Sequence, residues 1–573
     1  MPNLPINNFS ITKFSITMSW WCRRATSQAK STCPLASRQL PRLLPLLMRI
    51  YRAFATVGGL TMVSRVLGFI RDIMVAGILG SGAVADAFFV AFRFPNLFRR
   101  LFGEGAFNAA FVPLFAKKLE GEGREAARAF AAEAMSGLLV ILLVLSAACM
   151  LAMPWLMYAI APGFADDQAK FDLAIVLSQI AFPYLLCMSL VALLSGVLNS
   201  LGRFVESSAV SIVLNVTLIA AILIAMALGY RNDANAGHAL AWGVFAAGLL
   251  QLLLLVWGAR RNGILPRLVR PVWSADVRRL VVLGVPGVIA GGITQINILI
   301  GTVIATLQSG AVSQLYYADR IYELPLAIIG IAIGVVLLPE VARALRAGDS
   351  AAVSHAQNRS LEFAMLLTVP AAVALAVIAT PIVRVLFERG AFQPSDTQAT
   401  AALLSIFALG LPAFVLIKVF SPSYFAREDT RTPMRYAAIS LTANTAGSVG
   451  LFFLFREAGL LPHLGIAVAT TLGGWLNAML LWRGLSRHGH FTLDRQSRRN
   501  LPRIILAGLA MGGGLVILAD LLAPWLGPRA PLTTSGPALA ALVFAGATLY
   551  FLVSAGLGSV NRTMLQAATS RKS

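Results

Sequence analysis

The sequence is poor in charge, in cysteine and in histidine, and each shortage excludes something. Only 13% of its 573 residues are Asp, Glu, Lys or Arg, against about 25% in an ordinary soluble chain. Four cysteines (Cys22, Cys33, Cys149, Cys187) have no metal-ligand spacing, and neither do the five histidines (His238, His355, His463, His488, His490). A disulfide framework and a zinc site are therefore not expected. No Gly-x-x-x-x-Gly-Lys-Ser/Thr loop is present, so the chain carries no ATP-driven motor of its own. A His/carboxylate metal cluster is missing, as is the aspartate-rich pair that a polyprenyl-phosphate transferase would need. The expectation is a non-enzyme without a cofactor.

What the sequence does have is hydrophobic length. It is 58% apolar with a mean hydropathy of +0.76, and runs of roughly 20 apolar residues, each long enough to cross a bilayer as a helix, recur throughout. Fourteen are read, at about 53–80, 85–113, 131–159, 172–200, 205–229, 237–258, 277–307, 312–342, 361–387, 400–425, 434–455, 464–485, 502–525 and 537–557. The second, eighth and tenth are interrupted by charge or proline. The fold class expected is an all-α integral membrane protein with about 14 transmembrane helices.

A net charge of +22 first suggests nucleic acid, but its distribution argues for topology. With the segment at 117–128 placed in the cytoplasm and the sides alternated, the cytoplasmic loops and tail hold 26 Lys/Arg. The external loops hold six: Lys170, Arg231, Arg384, Arg389, Arg456 and Arg529. This positive-inside asymmetry puts both termini in the cytoplasm. Residues 1–47 are polar and aperiodic and are expected to be a disordered extension or a mis-assigned start, with "MRIYRAF" at Met48 a natural beginning.

The chain also resembles itself at an offset of about 225–230 residues. "GSGAVADAFF" (80–89) answers to "QSGAVSQLYY" (308–317), "FVPLFAKKL" (111–119) to "LLPEVARAL" (337–345), "AFPY" (181–184) to "GLPA" (410–413), and Asn215 to Asn444. Six helices per copy leave the copies in parallel orientation, with a site expected between two lobes. The expected division is 48–262 for the first lobe, 263–490 for the second and 491–573 for two further helices and a tail.

Seven basic residues fall within the spans: Arg65, Arg71, Arg93, Arg99, Arg100, Arg320 and Lys418. Six lie in spans 1, 2 and 8, together with Asp72, Asp86, Asp319 and Glu323, and with Glu104 beside a Gly-flanked break. An arginine at the bilayer centre costs roughly 2.5–3.5 kcal/mol on insertion scales, so these groups must face protein or a wet cavity. Arg65 and Asp72 are seven apart and share a helix face, and Asp86, Arg93 and Arg100 repeat at seven. Arg71 points about a third of a turn from Arg65, so both meet one cavity only if the helix bends at Gly68 or the cavity is wide. Local pairing (Arg65–Asp72, Arg93–Asp86, Arg320 with Asp319 or Glu323) would leave positive charge in excess. A cationic cavity for an anionic substrate follows, since guanidinium forks suit phosphate and pyrophosphate oxygens. Asn215, Asn444 and Asn477 read as interhelical hydrogen-bond groups, Pro183, Pro370 and Pro412 as kinks, and Lys418 as a candidate lining residue of the second lobe.

"SRVLGFIRD" (64–72), "DAFFVAFRFPNLFRRLFGEGAFNAAFVPLF" (86–115) and "YYADRIYELP" (316–325) resemble the signature segments of the MurJ (MviN) family, the lipid II flippases of bacterial peptidoglycan synthesis. The resemblance covers roughly residues 48–560. It implies the multidrug/oligosaccharidyl-lipid/polysaccharide exporter fold: two six-helix lobes in a V, plus two C-terminal helices forming a groove for an undecaprenyl tail. It implies Arg65, Arg71, Arg99 and Arg320 as the cavity cations, with Asp72, Asp86, Asn96, Glu104 and Asp319 beside them. Some members have a sodium site in the second lobe. The corresponding helices here offer Gln295, Asn297, Asn444 and Ser448 with no carboxylate, which speaks against a sodium requirement. The partners implied are lipid II and membrane lipids, with cell-wall synthesis or division proteins as further ones, and the location is the bacterial cytoplasmic (inner) membrane. The rival readings are a flippase for another lipid-linked oligosaccharide, a drug antiporter of the same fold, and a non-transporting scaffold for cell-wall enzymes. An antiporter of cations would want an acidic cavity, and a scaffold has no use for midmembrane arginines.

Overall fold

The computed structural model describes residues 36–98, 106–528 and 530–559, and regular structure among them is helical. The chain divides into two compact units, residues 1–63 with 560–573, and residues 64–559. In the first, the described part is the opening stretch of α1 (Ala36–Leu79), so the helix begins inside the extension expected over 1–47. The second unit holds everything that follows.

The first repeat continues with α2 (Ala83–Phe98), α3 (Ala106–Gly121), α4 (Arg124–Leu151), α5 (Met153–Ile160), α6 (Gln168–Ala181), α7 (Tyr184–Ser200), α8 (Phe204–Ala227) and α9 (Ala234–Arg261). The second comprises α10 (Ala275–Thr306), α11 (Ala311–Arg346), α12 (Ser350–Val377), α13 (Ala379–Phe387), α14 (Pro394–Phe425), α15 (Arg431–Glu457) and α16 (Leu464–Arg487). The C-terminal pair is α17 (Arg495–Leu521) and α18 (Leu532–Gly556). The repeat is visible in the breaks: α4 gives way to α5 after Leu151 as α12 gives way to α13 after Val377.

Helix starts are set by short polar side chains. Asp167, Asp233, Ser274, Asp349 and Asp494 each accept a hydrogen bond from the backbone N–H three residues on. Pro183 sits in the break between α6 and α7, whereas Pro370 and Pro412 lie within continuous helices. The outer faces are apolar and bare, with Val144 65% and Phe544 76% exposed. A water-soluble chain does not present such faces over whole helices. Ten described segments are long and apolar enough to cross a membrane. The other four expected spans fall on α1, α2 with α3, α10 and α11.

Within the first repeat α9 packs on α8 and α7, and α2 on α6; in the second, α14 packs on α11, α12 and α16. α17 docks on α12, and α18 on α17. α10 lies mainly against α3 of the first repeat.

Candidate functional site

Arg71 and Asp72 follow one another in α1, yet both are buried, because each faces a polar partner on another helix. The Arg71 guanidinium donates to Asp72 Oδ1 from Nε (3.1 Å) and Nη2 (2.7 Å), and from Nη1 to Asn215 Oδ1 of α8 (2.9 Å). Asn215 in turn donates from Nδ2 to the carbonyl of Ser64 (2.8 Å). Gly68 lies beside this amide, where a Cβ would stand in ordinary contact with Asn215 at 3.4 Å. α1 runs uninterrupted through Gly68.

From the second repeat, Tyr316 of α11 donates its hydroxyl to Asp72 Oδ1 (3.1 Å), and Arg320 Nε stands 3.6 Å from Asp72 Oδ2. Arg320 also pairs with Glu323 (3.0 Å) and lies over the Tyr316 ring at 4.8 Å, and that ring stacks on Phe89 of α2 at 4.0 Å. One carboxylate thus ties α1 to α11, one helix from each repeat. Arg71 is sealed in, whereas the Arg320 side chain is 31% exposed. The cleft bounded by Arg71, Asp72, Phe88, Phe89, Leu218 and Tyr316 measures about 10 Å³, room for about one water.

Asp86 of α2 builds a second contact nearer the helix ends. It is fully buried and pairs with Lys170 of α6 at 2.8 Å. It also accepts from the Gly310 N–H (2.7 Å), the Ser313 N–H (3.0 Å) and the Ser313 hydroxyl (2.8 Å), which occupy the opening turn of α11. A carboxylate at a helix N-terminus gains from both the free N–H groups and the helix dipole. Around it the repeats meet through backbone and side-chain hydrogen bonds. Ala391 N–H donates to the Gly77 carbonyl (2.8 Å), Tyr317 to the Gly80 carbonyl (2.9 Å) and Gln314 Nε2 to Ser81 Oγ (3.1 Å). A Cβ at Gly390 would lie 2.2 Å from the Gly77 oxygen, and one at Gly163 would lie 2.3 Å from the Thr306 oxygen. Glycine is what lets this seam close.

Of the residues expected from sequence, Arg71, Asp72 and Arg320 come together. Asp86 lies in the seam with Lys170 instead of pairing with Arg93, whose guanidinium donates to Thr302 of α10. Arg65 is exposed, away from Arg71, as a straight helix dictates, and Asp72 takes Arg71 and Arg320 as partners in its place. Asn96 on α2 and Asp319 on α11 are half-buried. Arg99 and Glu104 lie outside the described residues. Lys418 lays its stem across Gly330 of α11 and is exposed. Sequence reasoning placed Lys170 in an external loop and gave Tyr316 no role. Lys170 stands three residues past the cap Asp167, in the first turn of α6, which was the available signal that it is not a loop residue.

Two solved structures share this architecture. "Lipid II flippase MurJ, inward closed conformation" superposes with a TM-score of 0.71 at 23% identity, covering 89% of this chain and 99% of that one. An inward-facing multidrug resistance MATE family transporter of the MOP superfamily gives 0.59 at 15%, over 76% and 98%. The fold is that of a multi-pass membrane protein. The family model described as "Lipid II flippase MurJ" matches residues 75–528. "Probable lipid II flippase MurJ" of Rhizobium meliloti (strain 1021) is 49% identical over 526 residues, 91% of this chain and 97% of the relative. "Lipid II flippase MurJ" of Burkholderia cenocepacia is 34% identical over 511 residues, 88% and 96% of the two. The chain belongs to the MurJ lipid II flippase family.

Proposed function

We propose that this chain moves lipid II from the cytoplasmic to the periplasmic leaflet of the bacterial inner membrane by alternating access. The fold we infer has fourteen crossings, two six-helix lobes in a V and the added pair α17–α18. The observation that carries the reading is the Asp72 network, in which Arg71 of α1 and Arg320 of α11 share one carboxylate below a closed seam. The loop basic residues orient it: 26 Lys/Arg on one side against six on the other, one of which, Lys170, is buried. The seam then lies on the periplasmic side.

In this cycle the pyrophosphate of the headgroup competes with Asp72 and Glu323 for Arg320, the more accessible guanidinium. Arg71, held by Asn215, fixes Asp72 and is a positioning residue. The undecaprenyl tail stays in lipid or along α17–α18. Parting of the seam releases the head outward. Without an ATP site, the drive is an ion gradient or the membrane potential, worth about 2.3 kcal/mol per charge per 100 mV.

Depletion of the protein tests this. Lipid II should accumulate on the cytoplasmic face, and wild type but not R320A should restore its delivery. Accumulation of a different lipid-linked precursor would overturn the substrate; full delivery by R320A would overturn the site.

A further inference from the structure

Between α9 and α10 the chain runs without helix over residues 264–274, and it is fastened to the first repeat through its polar atoms. Arg128 Nε of α4 donates to the Leu265 carbonyl (2.9 Å), and Val269 N–H donates to the hydroxyl of the buried Ser136 (3.0 Å). Ser274 Oγ donates to Glu133 Oε2 (2.6 Å), and Lys118 pairs with Asp276 just beyond (2.8 Å). Ile264 and Pro266 are buried, and beyond them the side chains turn outward. Leu268 is 66%, Val272 57% and Trp273 66% exposed, and the interleaved Arg267 and Arg270 are exposed as well. No carboxylate is paired with either arginine among the described residues.

We propose that this strap is a docking surface for anionic phospholipid headgroups. Three observations commit it to a lipid surface. The strap joins the end of one membrane helix, α9, to the start of α10, so it lies at the depth of the headgroups. Its apolar side chains continue onto the bare face of α10, where Val282, Leu283 and Val285 are exposed, so the strap and the lipid-facing surface are one. At the end of α9, Trp257 is exposed and carries the Arg261 guanidinium 5.4 Å from its ring, the pairing of aromatic body and cationic head found at membrane interfaces. Trp273, Leu268 and Val272 enter the acyl boundary, while Arg267 and Arg270 reach phosphate oxygens of a negatively charged leaflet. Segment 260–279 holds six arginines against one aspartate, and that aspartate is taken by Lys118. Charge complementarity therefore favours anionic over zwitterionic lipid. The claim is independent of which substrate the transporter carries.

The full chain in phosphatidylcholine nanodiscs, doped with brominated phosphatidylglycerol or brominated phosphatidylcholine, provides the test. Quenching at Trp273 is read as the difference between wild type and W273F. Brominated phosphatidylglycerol should quench Trp273 several-fold more strongly than brominated phosphatidylcholine. R267Q/R270Q should abolish that preference, a loss on the order of tenfold in apparent affinity, and R267K/R270K should keep most of it. Equal quenching by both lipids in wild type would overturn the anionic recognition. No quenching by either would place the strap against water or a protein partner and overturn the proposal entirely.

Discussion

Arg71 spends its guanidinium on two partners in different helices, three of its donors reaching Asp72 and Asn215 at once. A lysine ammonium is a point charge and cannot span that fork. R71K should therefore lose transport nearly as completely as R71A, while both accumulate as folded protein. N215L, which keeps the branched shape and removes the acceptor, should lower transport in the same direction, leaving a buried guanidinium donor unsatisfied at about 1–3 kcal/mol. Flipping assays on variants matched for membrane abundance check this, and normal transport by R71K would contradict it. His463 precedes α16 and is fully buried. Its backbone N–H and its Nδ1 both face Gln308 Oε1, at 3.1 and 2.8 Å. An oxygen that already accepts from the backbone accepts from the ring too, so Nδ1 carries the proton and Nε2 stays bare. Burial lowers its pKa to about 4, so the unfolded chain takes up a proton first as pH drops. Stability should be constant above about pH 6.5 and fall between 6.5 and 4, by up to about 3 kcal/mol. Thermal unfolding in detergent at pH 7.5 and 5.0 should show a drop for wild type that H463Q lacks.

Helices meet across the seam at glycines, so the seam's closure is a property of elements rather than of one charged group. Gly390 has φ +61° and faces the Gly77 carbonyl. Alanine there adds left-handed strain and a clash with backbone that cannot rotate away, together of order 1–3 kcal/mol against the closed seam. G390A should therefore favour the form open on the seam side. A cysteine at buried Ala311, in an otherwise cysteine-free chain, should react with an impermeant maleimide several-fold faster in G390A than without it; an unchanged rate would contradict the seam. Element positions were largely legible beforehand. Each of the fourteen apolar runs falls on a helix or a helix pair, because crossing a bilayer demands roughly 20 apolar residues and leaves a pattern nothing else makes. The paired breaks after Leu151 and Val377 were not read from the sequence, because each apolar run continues through its break. The pair Arg320–Glu323 within one helix was legible, but partners on other helices were not. Periodicity relates residues within one helix, so it proposed Arg65–Asp72 and Arg93–Asp86. The real partners, Asn215 for Arg71 and Lys170 for Asp86, lie 144 and 84 residues away, and only packing brings them in. α10 went against α3 for the same reason, since a repeat fixes what a helix resembles and not what it touches.

For the molecule as a whole, opening the seam must not strand a charge in a dry interior, and Asp86 is arranged to avoid that. Its ion pair with Lys170 joins α2 to α6, both in the first repeat, so it survives separation of the repeats. The bonds that break are those from Gly310 and Ser313 of the second repeat. They are neutral donors, and water can replace them once the seam is wet. The two partners of the pair should consequently fail in opposite directions. K170M leaves Asp86 dependent on the α11 donors alone, so the closed seam is favoured and the carboxylate resists release. D86N weakens the hold on α11 and leaves Lys170 buried without a counter-charge until water enters, so the open seam is favoured. With the same cysteine at Ala311, labelling should slow in K170M and quicken in D86N, while transport falls in both. The double variant D86N/K170M removes the stranded ammonium and should recover stability towards wild type without recovering the slow labelling, a non-additive outcome expected of groups in direct contact. Labelling that shifts the same way in both single variants would mean the pair merely holds the first repeat together and has no part in closing the seam.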